Sequence, residues 1–469
     1  MTRKLLVIFI ALILAGCATM APKYVRPAPP VPGAWPVGPA YKKAAGKPAK
    51  AVADIPWKKF FLARNLRNII SLALKNNRDL RLAALNIERS RAQYRIQRSN
   101  LFPKIDAFAD GNLQGVPRGL SITGHNETAQ EYDVGLGLSS YELDLFGRIR
   151  SLKNQALNQY FATEQARRSV QISLVAQVAS SYLDLAADQE RYRLAEETLA
   201  NQQAYYLLVK SRFEDGIASA LDVQQSKTSV EAARFDIAYY MTVAAQDENA
   251  LNLLAGTPVT TNLLPEKLSG RLAYVKDITP GLPSEALLSR PDILQAEDLL
   301  KAANANIGAA RAAFFPRITL VSSVGLGSDD LVGLFKPGSF AWKFAPQITV
   351  PIFNAGSNRA NLKVSETDKK IAVATYEKAI QTAFREVADA LAERGTIDEQ
   401  VAAQQALTNA DALSYRLAKA RYEEGVDSYL NVLDSQRSLY AARQNLISAR
   451  LARLMNLVAL YKVLGGGAI

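Results

Sequence analysis

The 469-residue chain holds one cysteine and one histidine. With so little of either, an intrachain disulfide and a Cys/His zinc cluster are excluded, and a Cys–His catalytic pair has no basis. No proline occurs from 148 to 213 or from 357 to 422. The apolar run Leu5–Leu14 is too short for a permanent membrane helix. Acidic residues are the minority, 44 against 56 Lys and Arg, a formal charge of +12. The basic residues lie scattered among Glu and Asp, which describes a solvated surface rather than a nucleic-acid tract. At 49% hydrophobic and 21% charged, the chain is too apolar for disorder and too polar for a bundle of membrane-spanning helices. Its length allows two to four domains or one elongated assembly. No cofactor is expected. His125 reads as an exposed residue of the loop 116–128 with no partners for a metal, and Glu142 and Asp144 read as rim residues rather than an acid/base dyad.

What is present begins at the N-terminus. Arg3 and Lys4 precede the apolar run, and Leu14-Ala15-Gly16-Cys17 follows. This pattern reads as a signal peptide, residues 1–16, ahead of an acylated Cys17. Ala18-Thr19 lacks the Asp associated with inner-membrane retention, so an outer-membrane lipid anchor is expected. Pro22, Pro27, Pro29, Pro30, Pro32 and Pro36 then mark an extended tether.

The chain is also duplicated. Asp79, Leu80, Ala92, Phe102, Pro103 and Ile105 recur 213 positions later as Asp292, Ile293, Ala305, Phe315, Pro316 and Ile318. Gly147, Arg150, Arg212, Gly216, Ser219 and Leu221 recur 209 positions later as Gly356, Arg359, Arg421, Gly425, Ser428 and Leu430, and Gly256 recurs as Gly465. Order and spacing are kept, so each half is expected to form the same sub-architecture.

Within each half the pattern reads helix, two strands, long helix, turn, helix. Residues 63–101 read helical. Trp342, Phe344, Pro346, Ile348, Val350 and Ile352 alternate with Lys343, Ala345, Gln347, Thr349 and Pro351, the period of a half-buried strand. Tyr132, Val134, Leu136 and Leu138 do the same, and 104–113 and 317–327 alternate in part. Four strands of about 9–12 residues are expected. Each proline-free stretch would reach about 99 Å as a helix, and Ile172, Val175, Val178, Tyr182 and Leu185 form its coiled-coil-like seam. Four strands cannot close a membrane barrel, and open edges in lipid leave peptide groups unpaired. Chains must pool strands: two would give a closed eight-stranded barrel, three a twelve-stranded one with a lumen. A soluble sheet capping a coiled coil is the competing reading.

Leu282-Pro-Ser-Glu-Ala-Leu-Leu-Ser-Arg-Pro-Asp-Ile293, Glu142-Leu-Asp-Leu-Phe-Gly-Arg148 and Val350-Pro-Ile-Phe-Asn-Ala-Gly356 together resemble the outer membrane efflux protein family, the TolC-like and NodT-type lipoprotein channels. The resemblance covers essentially the whole mature chain. It implies a mixed α+β homotrimer whose twelve-stranded β-barrel in the outer membrane continues into a periplasmic α-helical tunnel. It further implies service to an inner-membrane RND-type transporter through a periplasmic adaptor, exporting drugs or other xenobiotics without catalysis. The expected layout is tether and equatorial start 17–62, repeats 63–256 and 283–465, and linker 257–282. Barrel strands and outer loops fall in 104–145 and 317–352, and helical hairpins in 148–255 and 357–464.

By the same resemblance the tunnel closes at its tip. Asp434 takes the place of an inward carboxylate, Asn431 departs from a second one, and Leu430 adds an apolar ring. Tyr422 matches a latch tyrosine, while Asp427 replaces its basic partner. The turns with Gly216 and Ser219 and with Gly425 and Ser428 are the expected adaptor contacts. Alternatives are an envelope-spanning scaffold without transport, a passive porin, or a protein-secretion exit.

Overall fold

The computed structural model describes residues 19–41, 55–122, 124–268 and 284–467. The signal segment 1–16, Cys17, Leu282 and Pro283, and parts of the tether and linker lie outside the described residues. Two compact units are present, each drawn from three stretches. The first comprises Met1–Ala28, Asn86–Glu164 and Gln295–Tyr376; the second comprises Pro29–Leu85, Gln165–Leu294 and Glu377–Ile469. The repeats therefore do not coincide with the units, since each half of the chain feeds both.

The first unit carries a four-stranded antiparallel sheet in the order β1 (Asp106–Val116), β2 (Glu127–Leu143), β3 (Arg317–Ser328) and β4 (Phe340–Thr349). β1 and β4 are edge strands. β2, at 17 residues, exceeds the expected 9–12. Its neighbours are staggered along it, β1 pairing with Glu127 to Gly137 and β3 with Tyr132 to Leu143, so it must span both. A bulge between Leu138 and Tyr141 supplies one extra residue. β4 stops at Thr349, short of residue 352, where Pro351 has no N–H for a ladder. Gly135 and Gly325 face each other across β2 and β3; a Cβ on either would collide with the opposite backbone, so the two strands meet where only glycine fits.

The second unit is built around short helices α1 (Trp57–Phe60) and α2 (Arg64–Asn76). Leu66, Ile69, Ile70 and Ala73 recur at helical spacing on α2 and are buried. They join Phe60, Phe61, Val175, Val178, Tyr182, Leu185, Leu251 and Tyr461 in one core. Phe60 stacks on Tyr461 at 3.9 Å, and the Tyr461 hydroxyl donates to the Ile55 carbonyl at 2.6 Å.

Residues 63–101, expected as one helix, form two: α2 and α3 (Arg78–Ser99), parted at Asn77. The break has a cause. Asn77 Oδ1 accepts the Leu80 N–H at 3.0 Å, capping α3, and Asn77 Nδ2 donates to the Leu254 carbonyl at 3.0 Å. The second repeat places Arg290 where the first has Asn77, and Arg290 Nη1 donates to the Val463 carbonyl at 2.7 Å. Val463 is itself the repeat partner of Leu254. Each half thus clasps the end of its returning helix from the start of its first helix. Arg290 adds Asp292 at 3.0 and 2.7 Å and Glu386 at 2.9 Å.

The long helices α4 (Arg148–Glu214) and α7 (Ser357–Glu423) have 67 residues each, and α5 (Ala220–Ala255) and α8 (Tyr429–Val463) return from them. Between the strands' halves, α6 spans Pro291–Ala312. None of the described helices is long and apolar enough to cross a membrane.

Candidate functional site: a two-faced sheet and the helical turns

Register decides what the sheet can do. Residues paired across strands share a face, so Ala107 and Ala109 line up with Leu136 and Val134, these with Val324 and Leu326, and these in turn with Trp342 and Phe340. Ile318 opposite Ile348 and Ser322 opposite Phe344 extend the same side. This face is apolar from edge to edge and largely uncovered; Trp342 is 72% exposed and Phe344 60%. The opposite face carries Asp106, Asp110, Glu131, Asp133, Gln347 and Lys343. Asp110 stands directly across from Asp133, a like-charge pairing that only a wet surface tolerates. One face suits hydrocarbon, the other water.

At the strand-to-helix junction, Glu142 accepts from Arg148 Nε and Nη2 at 2.8 and 2.6 Å and pairs with Arg317 Nε at 2.6 Å. Asp144 accepts the Ile149 and Arg150 N–H groups at 3.0 and 2.9 Å, capping α4, and also binds the Arg150 side chain. Phe146 stacks on Phe315 at 4.8 Å. Both acids are fully committed to ion pairs and caps, as rim residues would be. His125 is exposed in the β1–β2 loop. Among the described residues, no group of three or more His, Cys, Asp or Glu is placed to hold a metal.

The two turns of the second unit are near copies. Gly216 and Gly425 adopt φ of 76° and 72°, the left-handed region open to glycine, and Ile217 and Val426 N–H donate to Arg212 and Arg421 carbonyls at 2.7 and 2.8 Å. They differ in how the next helix starts. Ser219 and Asp222 form a reciprocal capping box at α5. Its repeat partner has Asn431 in place of Asp222, and Ser428 makes no side-chain cap. An Arg421–Asp427 pair, Nε to Oδ2 at 2.5 Å, braces this second turn instead. That pair is what occupies Asp427, the residue standing where a basic latch partner was expected.

Tyr422 is half-buried in a cluster with Tyr205 and Tyr429, at ring distances of 6.1 and 5.7 Å, and Tyr205 stacks on Tyr429 at 4.8 Å. The Arg212 guanidinium lies 4.9 Å from the Tyr422 ring centre. Burial, reinforced by neighbouring Tyr422, pushes the Tyr205 and Tyr429 hydroxyls well above the usual phenol range. Sequence reasoning missed Tyr205 and Tyr429; the latch tyrosine Tyr422, read from the family resemblance, was its pointer to this contact. On α8, Tyr429, Val432 and Leu433 are buried, whereas Leu430, Asn431 and Asp434 share the exposed face. The Asp434 side chain makes no hydrogen bond or ion pair among the described residues, while Ser219, Gly216, Gly425 and Ser428 are all exposed.

The chain matches the family described as "Outer membrane efflux protein" over residues 69–257 and 282–466. It is 50% identical over 468 residues to the antibiotic efflux pump outer membrane protein ArpC of Pseudomonas putida, covering all of this chain and 96% of ArpC. A membrane protein crystal structure from Pseudomonas aeruginosa superposes with a TM-score of 0.89 at 44% identity, over 96% of this chain and all of that one. The open state of the Neisseria gonorrhoeae MtrE outer membrane channel gives 0.86 at 39%, over 96% and 99%.

Proposed function

The chain belongs to the outer membrane efflux protein family, and from that premise we propose that it is the outer-membrane channel of a tripartite efflux pump. Three copies would pool their sheets into a twelve-stranded barrel, apolar face to lipid and polar face to the lumen. The observation that carries this reading is the sheet itself: four strands, one face for hydrocarbon, one for water, and outer edges on β1 and β4 that pair with no strand among the described residues. Closure by neighbouring copies gives those edges partners.

In this reading, substrates enter from an inner-membrane RND-type transporter through a periplasmic adaptor and leave outside the cell. Multidrug or xenobiotic cargo fits the antibiotic named for ArpC. No bond is made or broken, and the driving energy comes from the partner pump. The two glycine turns give each chain two similar docking places, hence six per trimer. The exposed α8 face with Leu430, Asn431 and Asp434 would line the tunnel mouth, three Asp434 carboxylates forming a ring that attracts cations and resists closer approach. Tyr422, held against Tyr205 and Tyr429 within one chain, would fix that face in place. Cys17 would bear the lipid anchor.

Single-channel recording from purified protein in planar bilayers tests the channel: a scaffold conducts nothing. Deletion of the gene followed by complementation tests the pump: restored drug tolerance only when an energised transporter is present excludes a passive porin.

A further inference from the structure

Residues 20–26 lie along α6 in a fitted track. Arg311 Nη1 donates to the Met20 carbonyl at 3.4 Å and Asn304 Nδ2 to the Pro22 carbonyl at 2.8 Å. Glu297 accepts from the Tyr24 hydroxyl at 3.1 Å and from Arg26 Nε and Nη2 at 3.0 and 2.6 Å. Lys301 reaches the same carboxylate at 3.4 Å and sits over the Tyr24 ring. At Gly308 a Cβ would fall 2.5 Å from the Ser151 Oγ and 2.6 Å from the Ala21 nitrogen, so glycine leaves room for both α4 and the strap.

Glu297 is 3% exposed. A buried carboxylate is costly without partners, and two of its three partners come from the strap rather than from α6. Burial works against its charge, yet Arg26, Lys301 and Tyr24 outweigh it and hold the carboxyl below the usual range. The duplication supplies an internal control. In α3, the copy of α6 in the first repeat, the equivalent positions are Ala84, Arg91 and Arg95 instead of Glu297, Asn304 and Gly308. The acid, the amide and the gap occur together in α6, along which the strap runs, and are missing from α3.

We infer that Glu297, Asn304 and Gly308 form a binding site for residues 20–26 that fixes where the lipidated N-terminus leaves the protein. The direction follows from the contacts. Met20 meets Arg311, at the end of α6 that leads within a few residues into β3, and Arg26 meets Glu297 farther from the sheet. From 297 to 311 the helix rises about 21 Å, and six extended residues cover about 19–20 Å, so strap and helix run antiparallel in step. Cys17 precedes Met20 by three residues and can stray at most about 11 Å from it. An acyl group there is delivered to the sheet end of α6, level with the membrane rim. The inference rests on the proposed lipidation of Cys17.

Trypsin gives the test, since Lys23 is exposed within the strap and is followed by Tyr24. In detergent-solubilised full-length protein, cleavage after Lys23 should be slow. Glu297→Ala and, on the strap side, Arg26→Ala combined with Tyr24→Ala should each accelerate it about tenfold or more, as loss of charge-assisted hydrogen bonds predicts. Arg26→Lys should give an intermediate rate. Cleavage after exposed Arg118 in the β1–β2 loop should stay at the wild-type rate and so report an intact fold. Equal Lys23 cleavage in wild type and all variants overturns the binding site. Mass spectrometry of the released peptide separates the two layers: an unmodified Cys17 with the strap still protected overturns the lipid-positioning role while leaving the contact, whereas acylation in every variant supports it.

Discussion

Arg290 offers the most direct check on the clasp that closes the second repeat. Its side chain is 11% exposed and makes four hydrogen bonds, to Asp292 twice, to Glu386 and to the Val463 carbonyl. Removing one member of a buried ion pair costs about 3–5 kcal/mol. Here Asp292 and Glu386 are 39% and 36% exposed, so water recovers part of what they lose. Arg290→Ala is therefore expected to cost about 2–3 kcal/mol, and at roughly 2–4 °C per kcal/mol for a unit of this size the melting temperature should fall by about 4–12 °C. Arg290→Asn is the sharper variant, because it installs the solution that the first repeat already uses at Asn77. It should keep the bond to Val463, bring a helix cap of the kind Asn77 makes, and lose about half as much. Circular dichroism at 222 nm on detergent-solubilised protein at a fixed scan rate reads all three. Melting of Arg290→Ala within about 1 °C of wild type, or Arg290→Asn no better than Arg290→Ala, would refute the clasp.

Asp247 sits near Asp184, Asp188 and Arg191; burial first, then Asp188 and Asp184, raise its pKa to about 7 against a smaller opposing pull from Arg191. A raised carboxyl binds its proton more tightly in the folded chain, so stability should decline as pH rises from about 4 toward 7 and level off above. Asp247→Asn should flatten that profile in thermal melts from pH 5 to 8, and an unchanged slope would discount the group. Asp434→Ala should assemble normally yet raise resting conductance in planar bilayers; wild-type conductance would make Asp434 an ordinary solvated residue. The acidic polar face of the sheet predicts cation-selective current despite the basic overall composition. Reversal potentials under a KCl gradient should move toward zero for Asp110→Asn with Asp133→Asn, and anion preference in the wild type would contradict the assigned lumen face.

How much the sequence disclosed depended on the range of the interaction. Alternation in β4 was readable because one strand's period needs no knowledge of its partners. The duplication was readable because matched residues keep their order. β2 was underestimated because its bulge at Leu138–Tyr141 resets the parity on which strand reading relies. The break at Asn77 was hidden, since asparagine inside a helical pattern is a weak signal and its decisive bond goes to Leu254, 177 residues away. Glu297 gave no sign at all: the strap partners that set it apart lie more than 270 positions upstream. The tip was legible only through family resemblance, which pointed to Tyr422 but not to Tyr205 or Tyr429, whose spacing reads as ordinary seam.

The row Phe340, Trp342, Phe344, together with the bare outer margins of β1 and β4, also governs the chain's life before it reaches a bilayer. Newly made copies must travel through water carrying a greasy sheet with two sticky borders, a template for misassembly. If copies pool their sheets as proposed, such cargo would need an escort that shields it in transit and lets go only where sibling chains wait. The cell's capacity for delivery, more than the sturdiness of the finished fold, would then set how many copies it can display.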